Sequence, residues 1–327
     1  MTTISTARAA HAGKPVQANL AGLAYGAGAG ALWGLVFLAP ELAGPFGPLQ
    51  LTIGRYLCYG LIAAALVGRR WRSLAARMPR RQWRNLVWLA LAGNTLYYAL
   101  LSAAVQSGGI AMTSLVIGFL PVAVTIIGSR DHGAVPLRAL LPSLLLCAGG
   151  AVCIGAQALG EGTVRPLGER ILGLLCAFGA LASWTAYAVG NARCLTRLEH
   201  VSSHDWNLLT GVVTGAQSLV LIPFALAFGT AGHGLGEWAR LGAVSAGVAL
   251  LCSILGNALW NRMSRLLPLT LVGQMILFET LFALIYGFLW ERRWPTSLEL
   301  SALAFVALSV LACLAAHRRQ GPAGTAV

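Results

Sequence analysis

Gly93-Asn94-Thr95-Leu96-Tyr97-Tyr98 lies inside one long apolar stretch, and Gly256-Asn257-Ala258-Leu259-Trp260-Asn261 lies inside a later one. The next apolar stretch of each half also matches. Pro121, Gly128 and Pro136 are seven and then eight residues apart, and Thr280, Gly287 and Pro295 have the same spacing. Trp33-Gly34 and Trp184-Thr185 form a third, weaker pair. Three matches in one order predict two related halves.

Composition puts both halves in a lipid bilayer. Hydrophobic residues make up 57% of the chain, charged residues 10%, and mean hydropathy is +0.73. A soluble domain carries about 25% charged residues. Runs of roughly 20 apolar residues, enough to span a bilayer, occur near 20–40, 49–68, 85–105, 109–128, 136–157, 169–190, 206–228, 239–260, 267–290 and 296–316. They are too long, and alternate too little, to be barrel strands. The predicted fold is an all-α integral membrane protein of ten transmembrane helices. Residues 1–19 read as a disordered, Ala-rich cytoplasmic tail without the apolar core of a signal peptide. Residues 20–157 form the first five-helix repeat, 158–168 a linker, 169–316 the second repeat and 317–327 a cytoplasmic C-terminus.

Basic residues set the orientation. With the N-terminus inside, 17 of the 23 Lys and Arg fall on the inner side and five on the outer. Both termini are therefore expected in the cytoplasm of a bacterium, with the chain multi-pass in its inner membrane. An odd number of helices per half makes the repeats inverted. Such repeats are the architecture of many secondary transporters, with the solute held between the halves. The net charge of +13 then reflects topology, and nucleic acid is not an expected partner. The Arg69–Arg84 run, interleaved with Trp71 and Trp83, suits anionic membrane lipid.

Other chemistries find little support. The seven cysteines contain no CxxC, and none falls in a predicted outer loop. Glu199-His200-Val201-Ser202-Ser203-His204-Asp205 has metal-binding residue types but reads as an inner loop without further ligands. No phosphate-binding loop, nucleophile elbow or zinc-protease motif occurs. No cofactor or metal is expected, and the chain does not read as an enzyme. A lipid-modifying membrane enzyme is a remote alternative, because it needs clustered acids near one interface. Six of the ten acids are scattered over outer loops and helix ends.

Candidate solute-binding residues come from depth and from the repeat. Glu279 is the thirteenth residue of its segment, about 18 Å along the axis, near the middle of a ~30 Å apolar core. A carboxylate there is a functional candidate by default, for a substrate ammonium or a coupled proton. Asn94 and Tyr97 share one helix face, as do Asn257 and Trp260. An amide beside an aromatic ring suits an amphipathic small molecule. Trp184 and Tyr187 repeat the spacing with two rings, Trp33 adjoins the glycine strip of its helix as a candidate to face the cavity, and Gln274 lies five residues before Glu279. Trp260 also suits the interfacial aromatic belt. Arg55 is expected to be structural, snorkelling outward or meeting Glu41 or Glu279. Gly22, Gly26, Gly30 and Gly34 form a small-residue strip for close helix packing. Pro121 is expected to bend its helix and free a carbonyl, with Thr280 a gentler counterpart.

The ten segments, Trp33-Gly34, Arg55-Tyr56, Leu120-Pro121, Ala258-Leu259-Trp260-Asn261 and Glu291 together resemble the drug/metabolite transporter superfamily, EamA branch. Within it the chain most resembles bacterial amino-acid exporters of the YddG type. It departs from the pattern at Thr280, where proline is typical, and at Trp184-Thr185. The resemblance implies export of small metabolites, amino acids foremost, by alternating access. Efflux of drugs or other metabolites is the alternative. On this reading Trp33, Asn94, Tyr97, Trp184, Tyr187, Asn257 and Glu279 line the substrate site, and Gly26, Gly30, Gly34, Pro121 and Thr280 serve packing or hinging. The oligomeric state is left open.

Overall fold

The computed structural model describes residues 5–128, 137–160, 166–195, 201–229, 232–266 and 275–319. Every regular element among them is helical. In chain order these are α1 (Ser5–Ala43), α2 (Pro48–Val67), α3 (Trp71–Ala76), α4 (Arg80–Ala90), α5 (Leu96–Gly108), α6 (Ile110–Ile117), α7 (Leu120–Gly128), α8 (Leu137–Leu159), α9 (Leu167–Leu195), α10 (Ser203–Phe228), α11 (Leu235–Val248), α12 (Asn257–Leu266), α13 (Ile276–Glu291) and α14 (Ser297–Arg319). Widened turns at Leu91–Thr95 and Ala249–Gly256 carry α4 into α5 and α11 into α12 without a break.

Seven of the described helices are long and apolar enough to cross a membrane. Two further apolar helices are shorter over the described residues, Ile110–Val124 and Ser297–Cys313. Residues 109–128 divide at Gly118-Phe119 into α6 and α7. Residues 267–274, with Gln274 among them, lie outside the described residues. Pro121 therefore sits in the first turn of α7, where a missing N–H costs little, and the bend precedes it. At the N-terminus α1 begins at Ser5, so most of the segment expected as a disordered tail is helical. Its alanines have the highest helix propensity.

Among the described residues large apolar side chains are exposed, as lipid contact requires, while a set of hydroxyl side chains is buried within an otherwise apolar core. Leu145, Val152 and Leu175 are 65–70% exposed, whereas Ser102, Thr113 and Thr214 are fully buried. Local signals set the helix ends. Pro48 opens α2, where the Gln50 side chain accepts from Gly47 N–H at 2.8 Å. Ser202 caps α10 by accepting from Asp205 N–H at 3.1 Å. The candidate metal stretch thus ends as a helix cap, with Glu199 and His200 outside the described residues. No group of three or more metal-ligand side chains occurs among the described residues.

The broadest helix contacts pair α2 with α10, α8 with α14, α5 with α9 and α1 with α13. Glycines allow three of these close approaches. A Cβ on Gly30 would stand 2.6 Å from Phe278 Cβ, and one on Gly34 would stand 2.9 Å from Ala283 N. Gly26 abuts Met275 in the same way. The strip on α1 therefore packs onto α13. Gly60 faces Gly215 between α2 and α10, and Gly108 faces Gly173 between α5 and α9. Thr280, 1% exposed, lies beside Gly118 at the α6–α7 break.

Candidate functional site

The two Gly-Asn motifs sit at or beside the widened turns. A turn closed from residue i to i+5 releases backbone carbonyls from the regular ladder, and such turns cluster at functional sites. Each released region takes a donor from a helix of the other half. Ser183 Oγ donates to Ala92 O at 2.7 Å, and Trp33 Nε1 donates to Cys252 O at 3.0 Å. Each motif glycine receives an aromatic ring. The Tyr187 ring fills the space of a side chain on Gly93, and a Cβ on Gly256 would lie 2.6 Å from Trp33 Nε1. Any larger residue at either position collides with a ring.

These contacts frame a cavity of about 200 Å³ between the helices. Trp33, Asn94, Tyr97, Trp184, Asn257 and Glu279 all line it. Tyr187 stands one layer behind. It packs on Gly93 and meets Trp184 edge-on, with centroids 5.7 Å apart. Trp260, weighed above as an interfacial anchor, lines the cavity and stacks against Trp33 at 4.9 Å.

The amides are held by neighbours. Asn94 Nδ2 donates to Thr214 Oγ1 at 3.1 Å, and Asn257 Nδ2 donates to Ser253 O at 2.8 Å. Tyr59 O–H donates to the backbone carbonyl of Asn207 at 2.9 Å. Tyr59, Asn207, Cys252 and Ser253 join the lining, as does Tyr56 of the Arg55-Tyr56 motif, although sequence reading assigned none of them to the site. They come from the α2–α10 crossing and the second widened turn, which local periodicity does not reveal.

Arg55 also departs from expectation. It is 9% exposed, so it does not snorkel, and it lines the cavity. Its guanidinium carbon lies 4.3 Å from the Tyr98 ring centre and 5.1 Å from that of Tyr56. Nη2 reaches Ser253 Oγ at 3.5 Å, while Nε and Nη1 have no hydrogen-bond partner. Glu279 shares the cavity, but no ion pair joins the two among the described residues. The cavity therefore combines aromatic walls, three amides, one carboxylate and one guanidinium.

At the end carrying the α1–α2 turn, Phe46 packs on His233 and Trp238, with centroids 4.1 and 4.8 Å apart. Gln106 Nε2 donates to Phe46 O at 2.8 Å. This cluster joins the α1–α2 turn to the segment before α11 and to α5.

The EamA-like transporter family profile matches two stretches, residues 20–156 and 171–315. The inner membrane protein YtfF of Escherichia coli (strain K12) is 31% identical over 312 residues, covering 89% of this chain and 94% of that protein. An uncharacterized transporter of Archaeoglobus fulgidus is 26% identical over 244 residues, covering 74% and 78%. One solved crystal structure, 20% identical, aligns with a TM-score of 0.56 over 94% of this chain and 99% of its own, a likeness of fold alone. The narrower resemblance to YddG-type exporters gains nothing from these relatives. With both stretches matched and YtfF covered nearly end to end, the chain belongs to the EamA-like transporter family.

Proposed function

We propose that this protein is a secondary transporter of the bacterial inner membrane that exports small amphipathic metabolites, amino acids foremost. The carrying observation is the cavity. Its rings suit an apolar side chain, Asn94, Asn207 and Asn257 suit polar groups, and Glu279 suits an ammonium. A pocket with apolar walls and a few convergent polar groups is the usual form of a small-molecule site.

The mechanism is alternating access between two inverted five-span halves. Helix pairings support it. Grouping α4 with α5, α6 with α7 and α11 with α12, and setting aside the six-residue α3, gives ten spans. Exchanging the halves then maps the α2–α10 and α8–α14 pairings onto themselves. It also maps α5–α9 onto α1 with α11 and α12, and α6–α9 onto α1–α13. The family profile falls once on each half, and each widened turn with its glycine contacts the first helix of the other half, α9 or α1. The 17-to-five bias of basic residues supports cytoplasmic termini. The name of YtfF supports the inner membrane.

The test is counterflow of a labelled amino-acid panel in proteoliposomes, with and without an imposed pH gradient, for wild type and Glu279→Gln. At least one amino acid should exchange saturably. Loss of the carboxylate should weaken its apparent affinity about tenfold, the scale of one charge-assisted hydrogen bond. No exchange of any amino acid would contradict the substrate class.

A further inference from the structure

The cavity contains one charge that this reading leaves without a task. Arg55 is 9% exposed, yet its Nε and Nη1 have no hydrogen-bond partner. The 3.5 Å approach of Nη2 to Ser253 is at the outer limit of a hydrogen bond. Tyr56 and Tyr98 are the rings close to the cation. Such rings stabilise it through their faces and leave Nε and Nη1 without an acceptor. A buried guanidinium without a counter-ion is costly to keep. A structural arginine normally resolves that cost by pairing. Here Glu279 lies in the same cavity without forming a pair, and Arg55 itself lines that cavity.

We propose that Arg55 is the carboxylate anchor of the transported solute, its cavity-lining guanidinium turning its N–H groups onto the solute's carboxylate oxygens. The proposal rests on the transport reading of the cavity and narrows it. The solute must be a carboxylate, bound with that group at Arg55. Where it carries an ammonium, that group turns toward Glu279, and the side chain lies among Trp33, Trp184 and Trp260. A doubly charged phosphate fits less well, because it would meet one cation and a fixed carboxylate in a site of low dielectric.

The experiment uses the full chain in proteoliposomes. Counterflow of labelled L-phenylalanine, L-methionine, L-threonine and hydrocinnamate (phenylalanine without its amino group) is measured in wild type, Arg55→Lys and Arg55→Gln. Each amino acid is competed with its unlabelled self and with its carboxamide. The expected result is that amides compete roughly tenfold or more weakly than the acids, the scale of a lost charge-assisted contact. Arg55→Lys should retain part of this preference and Arg55→Gln none. Exchange of hydrocinnamate but of no amino acid, dependent on Arg55, would support the anchor while overturning the amino-acid reading. Equal competition by acid and amide in a transporting wild type would overturn the anchor and leave the transport reading standing. Absence of exchange for every carboxylate would overturn both. If Arg55→Gln does not fold, the acid-against-amide comparison in wild type decides alone.

Discussion

Two arginines in this protein meet opposite surroundings. Arg293, in the turn between α13 and α14, grips Glu299 with both terminal nitrogens at 2.7 and 2.6 Å and also contacts Glu291 through Nε. Thr296 N–H donates to the same Glu299 carboxylate at 2.8 Å, and Thr296 reaches Gln157 of α8. The hydrogen bonds to Glu299 hold the Arg293 guanidinium above its ordinary pKa. Arg55 is more deeply buried and has no carboxylate partner. A cation with every bond made ties helices together. A cation with its bonds unmade, facing a cavity, is free to hold a ligand.

Substitutions can break or sharpen this contrast. The largest expected effect is on flux. Arg55→Gln should weaken solute exchange roughly tenfold or more while leaving thermal stability equal or higher, because a neutral residue replaces an unpaired buried charge. A fall in melting temperature matching the loss of flux would make Arg55 structural. Arg293→Ala should do the reverse. It leaves Glu299, 5% exposed, without its cation. The expected cost is about 2 kcal/mol, below the ~3–5 kcal/mol of a fully buried pair because the Arg293 side chain is 35% exposed. Chemical denaturation in detergent would measure it.

Next in size are Gly93→Ala and Gly256→Ala. Each added methyl meets an aromatic ring, so overpacking of about 1–2 kcal/mol is expected, together with reduced exchange as Tyr187 or Trp33 shifts. Unchanged stability in both would remove the account of the repeated glycine. The smallest effect belongs to Arg70→Gln. It breaks a 3.0 Å pair with Asp205 in which Arg70 is 52% exposed. A loss below about 1 kcal/mol is expected, and high salt should mask it.

The all-helical membrane fold was legible in composition and run length, because a bilayer admits few alternatives to apolar helices. The repeat also singled out the residues that converge on the cavity. Gly93-Asn94 and Gly256-Asn257 were visible as words before their widened turns gave a physical reason. Trp33, Asn94, Tyr97, Trp184, Asn257 and Glu279 meet there, while Tyr187 stands behind them. Arg55 neither snorkels nor pairs with a carboxylate, since depth on one helix says nothing about which neighbours will pair with it. Its charge inside an apolar run was nonetheless the signal that could have found it. Asn207, Tyr56 and Tyr59 arrive through the α2–α10 crossing, set by Gly60 against Gly215 at long sequence separation. The break at Gly118 was read as a bend at Pro121, because proline marks both the interior kink and the first turn of a new helix.

The contrast between the two arginines is tested most directly by one paired measurement. Melting temperature and amino-acid counterflow per folded molecule are recorded for Arg55→Lys and Arg293→Lys beside wild type. The account predicts that Arg55→Lys keeps its melting temperature and loses most of its exchange, while Arg293→Lys melts earlier and exchanges normally below its transition. Normal exchange in Arg55→Lys, with lost exchange in a fully folded Arg293→Lys, would contradict it.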